Sequence, residues 1–367
     1  MFERGIFQTR FVAFTADGSD FASQNQPQFR MKGSFRKAKA MVINMKCLCC
    51  DKPISDSADL QEKKTIWHNA CVKKFFGTKT FPSVDITEEV LERLAIESTN
   101  KGYTVPGVQK KLSLHLTNEK DPRLTLVNYP TGYILKPQTK EYRALPEAEF
   151  VVMQMAKATK IKTVPFALIK MQDATQNFAY ITKRIDRVKA GKKLSMLAME
   201  DFCQLENRLT VDKYKGSYER CAKVIDAYSA FSGLDKADLF LRVVFSYAVG
   251  NSDMHLKNFS LIETAPASGI YRLSEAYDML PVNVIMPSDT DELALTLNGK
   301  KRNIRRGDFI IFAETVGILR EAAEKIIDRV VSLADTYVAL CQNSYLPDDM
   351  KASLEALIVK RISQLKK

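Results

Sequence analysis

The sequence predicts an α+β protein in which a β-rich lobe precedes a mainly helical one. Three observations carry the prediction. Between about residues 100 and 190, short alternating runs surround a single helical pattern. From about 199 onward, helical periodicities dominate. The strongest apolar helix pattern, "DLFLRVVFSYAVG", stops at Gly250 and gives way to the polar loop of "GNSDMHLKNFSLI" (250–262). A polar loop held between two buried elements is a common place for chemistry.

The elements follow in order. Residues 1–44 are rich in Gln, Ser, Phe and basic residues without a period, and read as a basic, disordered leader or an upstream extension, with Met41 and Met45 as alternative starts. Residues 45–80 hold a Cys/His cluster, and "DITEEVLERLAIEST" (85–99) reads as a helix with an acidic first turn. Strand patterns follow at "KLSLHLT" (111–117), "RLTLVN" (123–128) and "GYILKPQ" (132–138). The helix "LPEAEFVVMQMAKATK" (145–160) precedes two more strands, "TVPFALIKM" and "NFAYITKRIDR". Residues 81–198 form the β-rich lobe on this reading, and 199–367 the helical lobe. Phe240, Leu241, Val244, Phe245 and Val249 are expected in the core.

With 367 residues, 46% hydrophobic, the chain can bury a large core and form two or three lobes or domains. No apolar run reaches the roughly 18 residues of a membrane span, and the first twenty residues lack a signal-peptide pattern, so a cytoplasmic location is expected. The net charge of +12 is compatible with a polyanionic partner, but the Lys and Arg are scattered, with only short clusters such as Lys300–Arg306. Seven Cys, an odd number, do not suggest a secreted disulfide framework.

Cys47-x2-Cys50 and His68-x2-Cys71, separated by seventeen residues, match a closed tetrahedral zinc site, in which thiolates and imidazole leave no open position for catalysis. Cys49 is a spare thiol whose use would change the spacing, and the alternative is a set of buried reduced thiols. So small a segment hardly folds without a staple.

Asp253-x4-Asn258 has the spacing of a phosphotransfer loop, in which the Asp orients the attacking hydroxyl and the Asn ligates magnesium. Twenty residues on, Asp278 in "YDM" stands where a second metal-binding Asp is expected. Lys136 ends the strand "GYILKPQ" as a phosphate-pairing lysine would, and Glu147 or Glu149 on the next helix could pair with it. D-x4-N alone occurs often by chance; the ordered set of Gly-containing turn, Lys, Glu helix, loop and Asp is more specific.

The segments "TVPGVQKKLSLHL", "YILKP", "EAEFVVMQMA", "TKRIDR", "MEDFCQL", "VVFSYAVGNSDMHLKNFSLI" and "YRLSEAYDM", in this order from about 100 to 310, resemble the HipA-type serine/threonine kinases, toxin components of bacterial toxin–antitoxin modules. The resemblance implies a bilobal protein-kinase-like fold and ATP and Mg2+ as cofactors. It implies Asp253 as catalytic base, Asn258 and Asp278 as magnesium ligands, Lys136 as the ATP-phosphate lysine and Glu149 as its helix partner. Backbone groups of Glu200 and Phe202 in "MEDFC" would meet the adenine, and His255 would belong to the nucleotide site. Where the family usually carries an autophosphorylated serine, this chain has Thr104, followed by Val105 and Pro106, so autophosphorylation is expected at Thr104 if it occurs. The resemblance further implies a protein substrate, with aminoacyl-tRNA synthetases among known targets, and an antitoxin partner with a helix-turn-helix DNA-binding domain, DNA being met only through it. Full-length relatives carry an extra N-terminal β subdomain, which a separate small protein supplies in shorter ones. The competing reading is a zinc-containing, kinase-like binding module that sequesters a protein or nucleic acid; intact Lys136, Asp253, Asn258 and Asp278 argue against it.

Overall fold

The computed structural model describes residues 45–84, 111–117, 120–126, 132–171, 178–190 and 193–367. The helix expected over 85–99 and the turn around Thr104 lie outside these residues. Two short helices, α1 (Leu60–Thr65) and α2 (Asn69–Phe76), carry the Cys/His segment. Six strands then form one sheet: β1 (Ser83–Val84), β2 (Leu112–Leu116), β3 (Arg123–Leu126), β4 (Tyr133–Lys136), β5 (Phe166–Lys170) and β6 (Phe178–Lys183), in the order β1-β3-β2-β4-β6-β5. All pairings but β1 with β3 are antiparallel.

Helix α3 (Leu145–Ala158) crosses between β4 and β5. Its buried side includes Phe150, Val152, Met153 and Met155, and nearly every residue from Leu145 to Ala156 is buried. A helix apolar on all sides must be covered on all sides. The sheet covers one face, and α10 (Ala334–Gln342) covers another, where Tyr337 shares a 2.7 Å hydrogen bond with Thr159.

The edge strand β5 is not left open. Its register with β6 turns the backbone of Leu168 outward. There the Leu168 N–H donates to Leu48 O at 2.8 Å, and its carbonyl accepts Trp67 Nε1 at 3.0 Å. The Cys/His segment therefore caps the edge, which would otherwise present unpaired backbone groups. Trp67, Phe75, Phe76, Phe81 and Tyr133 close the junction as a chain of ring contacts with centroids 4.9–5.9 Å apart.

Beyond the sheet come the hairpin β7 (Arg187–Ala190) and β8 (Lys193–Met196), then β9 (Met199–Asp201), α4 (Phe202–Leu205), α5 (Tyr218–Tyr228) and α6 (Ser232–Val249). Helix α6 is the axis of the helical part: every residue from Leu239 to Val249 is buried, the five predicted core residues among them. After it, β10 (Ser260–Glu263) pairs with β9 on one side and β11 (Tyr271–Leu273) on the other. The short α7 (Val282–Ile285), then α8 (Arg306–Thr315), α9 (Arg320–Ser332), α10 and α11 (Asp348–Lys366) complete the lobe. The periodic stretch 307–344 is thus broken, first at Gly317, whose φ of +79° ends a helix at little cost to glycine. No helix among the described residues is long and apolar enough to cross a membrane.

Gly250 ends α6 in the left-handed region, at φ +71°, with its N–H bonded to the Ser246 and Tyr247 carbonyls. A Cβ there would also lie 2.9 and 3.0 Å from the two methyls of Leu357 on α11. Gly250→Ala is expected to cost roughly 2–4 kcal/mol in urea denaturation, from backbone strain plus overpacking. Leu357→Ala in the same chain should relieve only the packing part, giving a non-additive cycle.

Candidate active site and candidate metal centre

Lys136 sits at the end of β4, 1% exposed, with its ammonium aimed at two carboxylates. Glu149 Oε1, from the first half of α3, is 2.5 Å away, and Asp278 Oδ1 is its second partner. The side chains of Lys136 and Glu149 are 2% and 0% exposed. Lys111, just ahead of β2, reaches Asp278 Oδ2 at 2.6 Å, so both oxygens of Asp278 face an ammonium. Burial favours the neutral lysine, but the two carboxylates outweigh it and raise the Lys136 pKa. Burial would likewise raise Asp278, yet Lys111 and Lys136 hold it well below the usual carboxylate range. Glu149 is pushed up to about 7 chiefly by burial, with Lys136 opposing and the negative charge of Asp278 adding to the rise. Glu147 lies on another side of α3 and makes no bond to Lys136; of the two candidates, Glu149 is the partner.

Asp278 follows β11 in a segment strapped to the turn between α3 and β5: Ala276 N donates to Lys162 O and Val164 N to Ala276 O. Its φ is +56°, an uncommon conformation for a side-chain-bearing residue. Tyr277, half-buried beside it, donates to Lys257 O at 3.2 Å and shares a bond with Ser260 Oγ.

The loop after Gly250 is fixed bond by bond. Asn251 N returns to Ser246 O at 2.8 Å, Ser252 Oγ donates to Asp289 at 2.6 Å, and Tyr218 on α5 donates to Met254 O at 3.1 Å. Met254, Leu256 and Phe259 are fully buried and anchor it. A 3-10 turn over Leu256–Asn258 brings the Asn258 amide back onto Asp253 O at 2.7 Å. That turn is the physical content of the D-x4-N spacing. Burial raises the Asp253 pKa, the Tyr214 hydroxyl and Lys213 oppose it, and the charge of Asp278 adds to the rise. Asp253 and Asp278 therefore share one electrostatic neighbourhood.

His255 is 5% exposed, and burial, helped by Lys213, lowers its pKa to about 3, so the ring is neutral and its Nε2, 3.8 Å from Asp253, forms no ion pair. Its backbone N–H donates to Asp253 O at 2.8 Å and supports the loop. Phe202 N–H donates to Phe259 O at 2.9 Å and its carbonyl accepts Glu206 N at 3.0 Å. The β9–β10 register pairs Glu200 with Leu261 two residues before, and in an antiparallel ladder alternate residues share the hydrogen-bonded orientation. The Glu200 backbone and the Phe202 N–H thus turn toward β10, while the Phe202 carbonyl turns into α4. Lys257 donates to Asp201 at 2.7 Å and joins the loop to the end of β9. In "TKRIDR", Arg184 and Arg187 both bind Asp186, at 2.9 and 2.7 Å.

Lys111, Lys213 and Tyr214 were not foreseen as site residues. Lys111 lies in "TVPGVQKKLSLHL", one of the segments that carry the family resemblance, whereas Tyr214 carried no signal.

Cys47 Sγ, Cys50 Sγ, His68 and Cys71 Sγ bring one ligand atom each within 4.8 Å of one another. Tetrahedral zinc with bonds of about 2.0–2.3 Å needs edges of roughly 3.3–3.8 Å. His68 Nδ1 is already 3.4 Å from Cys50 Sγ, and Nε2 lies 3.1 Å from Pro53 O, a partner that fixes Nδ1 as the ligating atom. The donor set fits a metal ion. Cys49 stays outside it, its thiol pushed up to about 12 by burial.

A two-part fold with a buried Lys–Glu pair, a strand-flanked Asp and a D-x4-N loop is the kinase-like class. The profile of the HipA-like C-terminal domain matches residues 103–337, and the chain belongs to this family. A Haemophilus influenzae protein named "Putative kinase" is 25% identical over 269 residues, 67% of this chain and 77% of its own length. A Sinorhizobium fredii protein of the same description is 30% identical over 239 residues, 61% of this chain but 55% of its own. The chain thus spans little more than half of that second relative. Among solved structures, HipA of Shewanella oneidensis MR-1, determined with HipB and its operator DNA, superposes with a TM-score of 0.59 at 19% identity, over 74% of this chain and 70% of that one. This likeness shows the fold.

Lys136→Met leaves two carboxylates facing one fewer cation in a buried place, and should cost about 3–5 kcal/mol in urea denaturation. Lys136→Met with Glu149→Met should recover most of that loss, because the uncompensated charge goes with the second change.

Proposed function

We propose that this chain is an ATP- and magnesium-dependent serine/threonine protein kinase of the HipA type, acting on a cytosolic protein. The observation that carries the reading is the Lys136 ammonium, buried between Glu149 and Asp278, beside a loop that presents Asp253. A cation kept charged in a dry place is suited to pairing with phosphate oxygens. The hard oxygens of Asp278 and Asn258 are of the kind magnesium selects and would hold the ion, which would supply charge neutralisation for the phosphates. Asp253 would take the proton of the acceptor hydroxyl, and its raised pKa makes it a better acceptor than a solvated aspartate. Lys111, on the far oxygen of Asp278, would add a second cation for the phosphates.

Family likeness supports the remaining assignments: growth inhibition by phosphorylating a protein such as an aminoacyl-tRNA synthetase, control through phosphorylation of Thr104, and neutralisation by an antitoxin that holds DNA. The Shewanella neighbour, solved with HipB and operator DNA, supports the last. A small protein supplying an N-terminal subdomain belongs to the same proposal. Cys47, Cys50, His68 and Cys71 would hold a structural zinc.

Phosphotransfer from ATP should fall by about a thousandfold or more in Asp253→Ala and in Asp278→Asn, because positioning and charge neutralisation supply most of the rate. Unchanged transfer in both would overturn the kinase reading. Millimolar Mg-ATP should raise the melting temperature of the wild type; the binding-module reading expects no shift. Elemental analysis should find about one zinc per chain, lost in Cys71→Ser together with several degrees of melting temperature.

A further inference from the structure

The Tyr214 hydroxyl donates a hydrogen bond to Oδ1 of Asp253. Tyr214 lies on the connection between a 3-10 turn at Thr210–Asp212 and α5. This connection is fastened to the loop it faces. Leu256 N donates to Lys213 O at 3.2 Å, and the Tyr214 ring meets His255 edge-on, with centroids 4.9 Å apart at 80°. The Lys213 ammonium stands 4.9 Å from the centre of the Tyr214 ring. The phenol is therefore held by its backbone neighbour, its ring edge and its hydroxyl at once.

Such a bond adds little to stability, since Tyr214 is 43% exposed and the Asp253 side chain 35%. Its consequence is geometric. A carboxylate at a loop tip turns about two side-chain bonds unless one oxygen is tied, and nothing else among the described residues donates to this one; the Asn258 amide takes the Asp253 backbone carbonyl instead. Lys213, Lys111 and Asp278 act on the carboxylate by charge, and His255 Nε2 stands 3.8 Å from it, none of them donating a hydrogen bond that fixes its rotation.

We propose, resting on the kinase reading above, that Tyr214 is a positioning residue whose phenol ties Oδ1 of Asp253 so that Oδ2 is the oxygen left to receive the acceptor's proton. The role differs from that of a structural tyrosine because it concerns the transfer step and not nucleotide binding.

The test compares wild type, Tyr214→Phe and a chain with 3-fluorotyrosine placed at 214, following ADP release from Mg-ATP with casein as acceptor. Tyr214→Phe should lower kcat by about ten- to a hundredfold while KM for ATP and the Mg-ATP melting shift stay as in wild type. The fluorotyrosine chain keeps shape and donor and should recover the rate. Three results would overturn the inference: a kcat for Tyr214→Phe within about twofold of wild type; a loss shared in parallel by KM, melting temperature and kcat; or phosphate on Tyr214 by mass spectrometry, which would make the phenol an acceptor. If wild type and Asp253→Ala release ADP at the same rate, the kinase reading itself fails, and the inference falls with it.

Discussion

A lysine ammonium taken out of water, with two carboxylates to keep it charged, is the constraint around which both lobes are arranged. Lys136 comes from a strand, Glu149 from the helix that crosses the same sheet, and Asp278 from a segment beyond β11. Burial of each charge alone would be costly, and their mutual attraction repays it only with close geometry. That geometry forces β4, α3 and the Ala276–Asp278 segment together. The same demand explains why α3 is so apolar. Its Glu149 is fixed in a dry place only if the rest of the helix is packed between sheet and α10.

The second element, the loop at Asp253, is held by a different means: dense local hydrogen bonding on a stop imposed by glycine. Gly250 reverses the chain where α11 leaves no room for a Cβ, and Asn283 N ties back to Gly250 O at 3.1 Å. Tyr218, Tyr277 and Lys257 then fasten successive parts of the loop to α5, to the Ala276–Asp278 segment and to the end of β9. The lysine cluster is fixed mainly by charge and the loop mainly by hydrogen bonds, and the two meet where Tyr277, beside Asp278, donates to Lys257 O and where the charge of Asp278 acts on Asp253.

How much could be read in the sequence follows from this division. The loop was legible because a 3-10 turn converts a fixed spacing into a fixed contact, so Asp253 and Asn258 announce themselves locally. Lys136 and Glu149, thirteen residues apart, were legible as a strand end followed by a helix, although the choice between Glu147 and Glu149 rested on resemblance and not on periodicity. Lys111 meets Asp278 across 167 residues, and Tyr214 meets Asp253 across 39, so no local pattern could pair them. The pairing of the Glu200 and Phe202 backbone with β10 was not legible for a related reason. Which groups of a strand face its neighbour depends on the parity of the register with β10, and one strand's sequence does not encode that parity.

Register also joins the Cys/His segment to the lysine. Leu48 O meets Leu168 N at the open edge of β5; Leu168 is paired with Tyr180 on β6; and Tyr180 is paired with Lys136 on β4. These residues form one row across the sheet, and the Tyr180 ring lies 5.2 Å beneath the Lys136 ammonium. The other side of the segment reaches the helical lobe, where Tyr345 donates to Lys46 O at 2.7 Å and Lys46 to Asn343 O at 3.0 Å. The Cys/His piece of chain thus closes the edge of the sheet at the end of the row that finishes on the buried cation. Loosening this segment would free Leu168 first, since its outward N–H and carbonyl have no strand partner. The lysine, two strands further in, is reached only through β6. The segment is therefore best understood as the boundary that lets a short edge strand stay paired, and so lets the interior of the sheet hold a charge.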